Sequence, residues 1–176
     1  MHRVPNSRRL ILCVAGAALI ASAAAAQAQP VFMSAEWAKS ACEAWNSDPV
    51  LTNDLVTSGW TDNDEGRGFK VMQIYRSDCE GSPRVEMRIS KQDGKAMCVY
   101  GGPVETTELT GADYVMYAET RRWREMGQGD YGPMKAMMFG RLKFEGPMFE
   151  AMNNMGPFKS FLLIPGKVDS NMETCP

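Results

Sequence analysis

The chain has 176 residues, a length that suits one domain, and its 44% hydrophobic and 23% charged residues make an ordinary globular mixture. The formal net charge is −2, and the residues beyond position 28 carry 16 basic and 21 acidic side chains, net −5. That sign disfavours nucleic acid and anionic membrane surface as main partners, because both need a basic footprint. The only histidine is His2, so the chain after its first residues has no Ser-His-Asp triad, no Cys-His pair and no histidine-ligated zinc.

The N-terminus reads as an export signal. Arg3, Arg8 and Arg9 precede an alanine-rich apolar run from Leu10 to Ala26, and Ala26-Gln27-Ala28 is the small-x-small cleavage pattern. Residues 1–28 are therefore expected to be a signal peptide cut between Ala28 and Gln29, with 29–176 forming a single domain in the periplasm or outside the cell. Ser7-Arg8-Arg9-Leu10 resembles a twin-arginine signal, although adjacent arginines also occur in ordinary export signals. Cys13 is not a lipidation site, because Leu12 before it is not small and the apolar run follows it. Beyond the leader stand Cys42, Cys79, Cys98 and Cys175. An even number of cysteines in an exported chain implies two structural disulfides, and sequence does not choose among the three pairings.

Helical spacing from Ala35 to Trp45 places Trp37, Ala38, Ala41, Cys42 and Trp45 together, with Ser34 as N-cap and Asp48-Pro49 as stop. Val50 to Trp60 reads as a second, weaker helix, followed by a polar loop to Gly68. Phe69 to Arg76 is a strand, and Val85, Met87 and Ile89 alternate along the next. Asp93-Gly94 turns the chain into a strand from Lys95 to Tyr100, which Gly101-Gly102-Pro103 is expected to end. Asp113 to Glu119 reads as a fourth strand, and Thr120 as the cap of a helix to Met126. Pro133 starts a short helix that Gly140 ends, Arg141 to Glu145 is a strand with Leu142 and Phe144 inward, and a helix broken by Pro157 follows. Pro165-Gly166 closes that helix. The order is α+β.

Met126 to Leu163 holds seven methionines interleaved with phenylalanines. Flexible, polarizable methionine suits a wall that accepts apolar ligands of varied shape, although such stripes also build ordinary cores. A rival reading is copper, since Met134/Met137 and Met152/Met155 place thioethers one helical turn apart and thioethers are soft Cu(I) ligands. Asp62, Asp64 and Glu65, or Glu105 and Glu108, read as solvated loop charges before they read as hydrolytic groups. No nucleophile elbow, phosphate loop or dinucleotide fingerprint is present. Arg121, Arg122 and Arg124 read as a solvated helix face first and as a headgroup contact second.

The stretch from Gly129 to Gly146 carries Lys135-Ala136 and then Gly140-Arg141-Leu142-Lys143-Phe144-Glu145-Gly146, a strand between two glycines that precedes an amphipathic helix. In this it resembles the sterol carrier protein 2, or sterol-binding domain, family. The resemblance implies a five-stranded, largely antiparallel sheet covered by helices that enclose an apolar tunnel. It implies binding or transfer of a sterol, fatty acyl chain, quinone or similar lipid without cofactor, metal or catalysis. By the same resemblance the tunnel positions are Met134, Met137, Met138 and Phe139, then Leu142 and Phe144. The last helix adds Met148, Phe149, Met152 and Met155, and then Phe158, Phe161 and Leu162. The export signal, the cysteines and Pro157 depart from the family pattern. A non-catalytic interaction module on the same fold is the alternative. Transient contact with a membrane or a partner protein would accompany either reading.

Overall fold

The computed structural model describes residues 1–2, 28–81 and 83–176; the predicted leader, from residue 3 to residue 27, lies outside them. Alternation sets the sheet. Strands β1 (Lys70–Arg76), β2 (Val85–Gln92), β3 (Lys95–Pro103), β4 (Tyr114–Ala118) and β5 (Lys143–Glu145) lie in the order β3-β2-β1-β4-β5. Register places Met72 opposite Met87 and Tyr114, and Ile74 opposite Val85 and Met116, so these side chains share one buried face. The β2–β3 hairpin turns at Asp93 and Gly94, both at positive φ (48° and 73°), which matches the right-handed twist of the strands.

The β1–β4 pair is parallel and the other pairs are antiparallel. A parallel neighbour needs a crossover. Here the segment from residue 104 to 113 supplies it, passing over the polar face of the sheet. Buried Glu86 ties it down, accepting from the Thr106 backbone N–H (2.9 Å) and hydroxyl (2.8 Å), while the Gln73 amide donates to the Thr106 carbonyl (2.9 Å).

Helices cover the other face. Helix α1 (Ala35–Asn46) starts where the Ser34 hydroxyl accepts from the Trp37 backbone N–H (3.2 Å) and lies on β3. Trp45 Nε1 donates to the Ala96 carbonyl (2.9 Å), Asn46 bonds both the N–H and the carbonyl of Cys98, and Cys42–Cys98 is a disulfide. β3 does not stop at Tyr100. Gly101 pairs with Met87 and Gly102 with Glu86, because a glycine at 101 admits the helix backbone; a Cβ there would sit 2.3 Å from the Ala38 carbonyl oxygen.

The predicted second helix is a one-turn π-helix (Val50–Asp54) running into α2 (Leu55–Thr57), then a 3₁₀ turn (Trp60–Asp62). Helix α3 (Thr120–Gln128) includes Thr120 as its first residue instead of its cap, and the Thr120 hydroxyl instead bridges Arg76 Nε and Asp78. Then come α4 (Pro133–Met138), α5 (Met148–Asn153), α6 (Met155–Leu162) and α7 (Ile164–Lys167). The helix break falls at Asn154, and Pro157 sits in the first turn of α6. None of the described helices is long and apolar enough to cross a membrane.

The C-terminal tail closes the fold. Asn171 exchanges backbone hydrogen bonds with Pro30 and Phe32, Arg76 donates to the carbonyls of Met172 and Thr174, and Cys79–Cys175 is the second disulfide. α3 and α7 cross at glycines, where a Cβ on Gly166 would lie 2.2 Å from the Gly127 carbonyl oxygen. Gly166→Ala should therefore cost about 1–3 kcal/mol in urea unfolding. Gly156→Ala, in the open space of α6, should be neutral or stabilising by about 0.4–1 kcal/mol. Equal stabilities for the two variants would contradict this packing.

Candidate functional site

Between sheet and helices lies an apolar cavity. Its floor is Met72, Tyr114 and Met116 from β1 and β4 and Phe144 from β5; its walls are Trp45, Leu51, Leu55 and Trp60; its roof is Ala151 from α5, Asn154 at the helix break, and Pro157, Phe158 and Phe161 from α6. Six of these rings form a closed circuit. Centroid separations are 6.5 Å for Trp45–Trp60, 5.8 Å for Trp60–Tyr114 and 5.5 Å for Tyr114–Phe144. The circuit returns through Phe144–Phe158 (5.8 Å), Phe158–Phe161 (6.5 Å) and Phe161–Trp45 (6.2 Å). Such separations suit offset and edge-to-face aromatic contact.

The space open to a water-sized sphere is about 40 Å³. That admits a few water molecules, whereas small-molecule sites run to roughly 300–1,000 Å³. In place of the predicted tunnel there is a small apolar void. Phe144, Phe158 and Phe161 stand at its wall. Leu142 and Leu162 are buried in the surrounding core, and Met137 and Met155 pack half-buried against it.

The remaining predicted tunnel residues point to solvent. Met134, Met138 and Phe139 are exposed around α4, and Met148, Phe149 and Met152 are exposed on α5. Phe149 is 86% exposed, whereas Ala151 is the buried residue of α5. The reason is the opposite face of α5, where Glu150 reaches a polar cluster and turns the methionine stripe outward. The same sidedness separates the copper pairs, since Met134 and Met152 are exposed while Met137 and Met155 pack on the core. Among the described residues, no group of three His, Cys, Asp or Glu side chains is placed to hold a metal ion. Three of the five candidate loop acids are engaged: Asp62 pairs with Lys91, Glu105 with Arg88, and Asp64 accepts from the Gly66 and Gly68 N–H groups. The arginines on α3 are also paired, Arg121 with Glu119, Arg122 with Glu125 and Arg124 with Glu173.

The polar cluster beside the cavity is invisible to local sequence patterns. Lys70 has no exposed surface, although it opens β1, and its ammonium lies 4.3 Å from the Trp60 ring centroid. It donates to Glu150 Oε1 and to the Trp60 carbonyl (3.3 Å). Tyr114 donates its hydroxyl proton to the same Glu150 oxygen and accepts from Trp60 Nε1 (2.9 Å). Asn63 donates to Glu150 Oε2 (2.8 Å). Burial lowers the Lys70 ammonium from the ordinary lysine value, with Glu150 pulling the other way. Burial, then the hydrogen bond to Glu150, pushes the Tyr114 phenol well up.

Asp113 anchors the start of β4. Its carboxylate accepts from Arg67 (2.5 Å) and from the backbone N–H groups of Val71 and Thr110 (2.8 Å each). Burial alone would raise this carboxyl, but the Arg67 bond and the two N–H donors outweigh it and hold it below the usual aspartate range.

The model of the SCP-2 sterol transfer family matches residues 61–159. The chain belongs to that family. Among solved structures the fold is similar to a crystal structure of sterol carrier protein 2, with a TM-score of 0.53 and 17% identity over 78% of this chain and 99% of that one. A conserved hypothetical protein of Thermus thermophilus gives a TM-score of 0.48 and 17% identity, covering 82% of this chain and 96% of that one. The sterol carrier protein domain 2 of Helicoverpa armigera gives 0.40 and 18%, covering 78% and 91%. No curated protein matches the chain. The family segment holds the sheet and the roof as far as Phe158, and leaves α1, the wall residues Trp45, Leu51, Leu55 and Trp60, Phe161 and the C-terminal tail outside.

Because ionised Asp113 is favoured in the fold, its stabilisation is fully present above the unfolded aspartate value, near pH 4, and is lost as the pH falls through the depressed one. Wild type should lose on the order of 1 kcal/mol of stability between about pH 5 and pH 3 that Asp113→Asn does not lose. Parallel pH profiles in urea unfolding would contradict this role.

Proposed function

We propose that the chain is an exported, non-catalytic carrier that takes one apolar ligand into the aromatic-ringed cavity. The observation that carries this reading is the closed circuit of six rings around an apolar void in a chain of the SCP-2 sterol transfer family. The driving force is simple. Each buried CH₂ contributes about 0.8 kcal/mol, so a 16-carbon chain offers on the order of 10 kcal/mol before ordering costs. No bond is made or broken.

A void of about 40 Å³ must open to take such a ligand. The roof is built for it. α5 is held between Gly146, at φ 140°, and the helix break at Asn154, and of its residues Ala151 is buried. Its roofing residue is small, so moving α5 outward withdraws little packed surface. The two disulfides suit an oxidising compartment, which supports the periplasmic or secreted location read from the leader.

A second reading, an interaction module, draws on the exposed Met138, Phe139 and Phe149. The two separate by mutation. Ala151→Leu adds three carbons into the void and should weaken binding of a fluorescent C16 acyl probe at least tenfold with near-UV CD unchanged. Phe149→Asp, on the solvent side, should leave probe binding within about twofold. The opposite pattern would transfer function to the exposed face.

A further inference from the structure

Lys70 is the feature the carrier reading does not use. A buried ammonium needs a counter-charge. Nothing on the sheet side provides one in contact. Asp113 is committed to Arg67, Val71 and Thr110, and Asp64 to the turn at Gly66 and Gly68. The carboxylate that meets Lys70 comes from the roof, on Glu150 of α5, 80 residues away in sequence.

The receptor for that carboxylate is complete without Glu150's own helix. Lys70 on β1, Tyr114 on β4 and Asn63 after the 3₁₀ turn supply donors to both oxygens, Lys70 and Tyr114 to one and Asn63 to the other. All three donors stand on or next to elements of the floor and wall, and Tyr114 itself lines the cavity. Trp60 and Tyr114 line the cavity and also touch Lys70, so the receptor lies directly behind the cavity wall. When α5 moves outward, Glu150 leaves with it and the donors face the opened space.

We propose that Lys70, Tyr114 and Asn63 form the head-group site for a single-chain lipid carboxylic acid, and that Glu150 occupies this site as an internal stand-in while the carrier is empty. The inference rests on the carrier reading and adds the ligand class to it. A neutral sterol or alkanol hydroxyl would leave Lys70 without a counter-charge once Glu150 departs; a lipid carboxylate restores it. The acid group then displaces the acid on the roof, so loading and roof opening are one exchange.

The test compares dodecanoic acid with dodecan-1-ol, equal in chain length, by calorimetric titration of the full chain. Wild type should bind the acid at least tenfold more tightly than the alcohol. Lys70→Met removes the charge that distinguishes the two ligands and should bring acid and alcohol to the same affinity. Glu150→Gln removes the charged competitor that either ligand must displace and should tighten both at least threefold, keeping the preference for the acid. A role confined to holding the fold together would not split the two ligands in this way. Equal affinity for acid and alcohol in wild type would overturn the head-group site and leave the carrier standing. Binding of neither would overturn the carrier itself. If Lys70→Met does not fold, Glu150→Gln decides: a rise for both ligands with the acid preference kept supports the site, and no rise overturns it.

Discussion

The circuit of Trp45, Trp60, Tyr114, Phe144, Phe158 and Phe161 is the contact on which the rest of the fold depends. Each ring arrives from a different part of the chain: α1, the 3₁₀ turn, β4, β5 and two turns of α6. The ring therefore closes only when sheet and helices are all in place. Rigid six-membered and indole rings do not collapse to fill the centre as aliphatic side chains do. A small apolar void is the geometric residue of that packing, and it is the space the proposed ligand would enlarge.

Around this centre the fastenings are uneven. Each disulfide joins the family-matched segment to a flank: Cys98 to Cys42 on α1, and Cys79 to Cys175 in the tail. Loops of this length closed by disulfides lose much unfolded-state entropy, and each link typically contributes about 2–4 kcal/mol. Glycine contacts fix the same regions, with α1 against Gly101 and α7 against Gly127. α5 has no such fastening. It is attached by Glu150, whose contacts are polar and exchangeable, and by one buried alanine. The fastenings are thus concentrated away from the roof, which suits the opening that the proposed carrier needs.

The sheet was readable because its signals are local. Alternation of Val85, Met87 and Ile89 gives a face, and Asp93-Gly94 gives a turn, from adjacent residues alone. The strand between Gly140 and Gly146 was readable for the same reason. The parallel β1–β4 pairing and the continuation of β3 through Gly101 were not, since each is set by what crosses over from elsewhere. The side of α5 was misread on a specific ground. Periodicity collects Met148, Met152 and Phe149 into a stripe, and the usual preference buries the larger apolar side chains. Here the ion pair with Lys70 turns Glu150 and Ala151 inward and the stripe outward. Trp60 and Tyr114 at the cavity wall, and Lys70 beside them, carried no motif; a lysine at a strand start reads as solvated until its distant partner is known. Nor did spacing choose the disulfide pairing.

The most direct test of the account is native mass spectrometry of the purified chain, before and after incubation with a mixed lipid extract, followed by organic extraction of the complex. The account predicts one adduct per chain with the mass of a single-tailed lipid, released on denaturation. The bare polypeptide mass at every lipid concentration would contradict it.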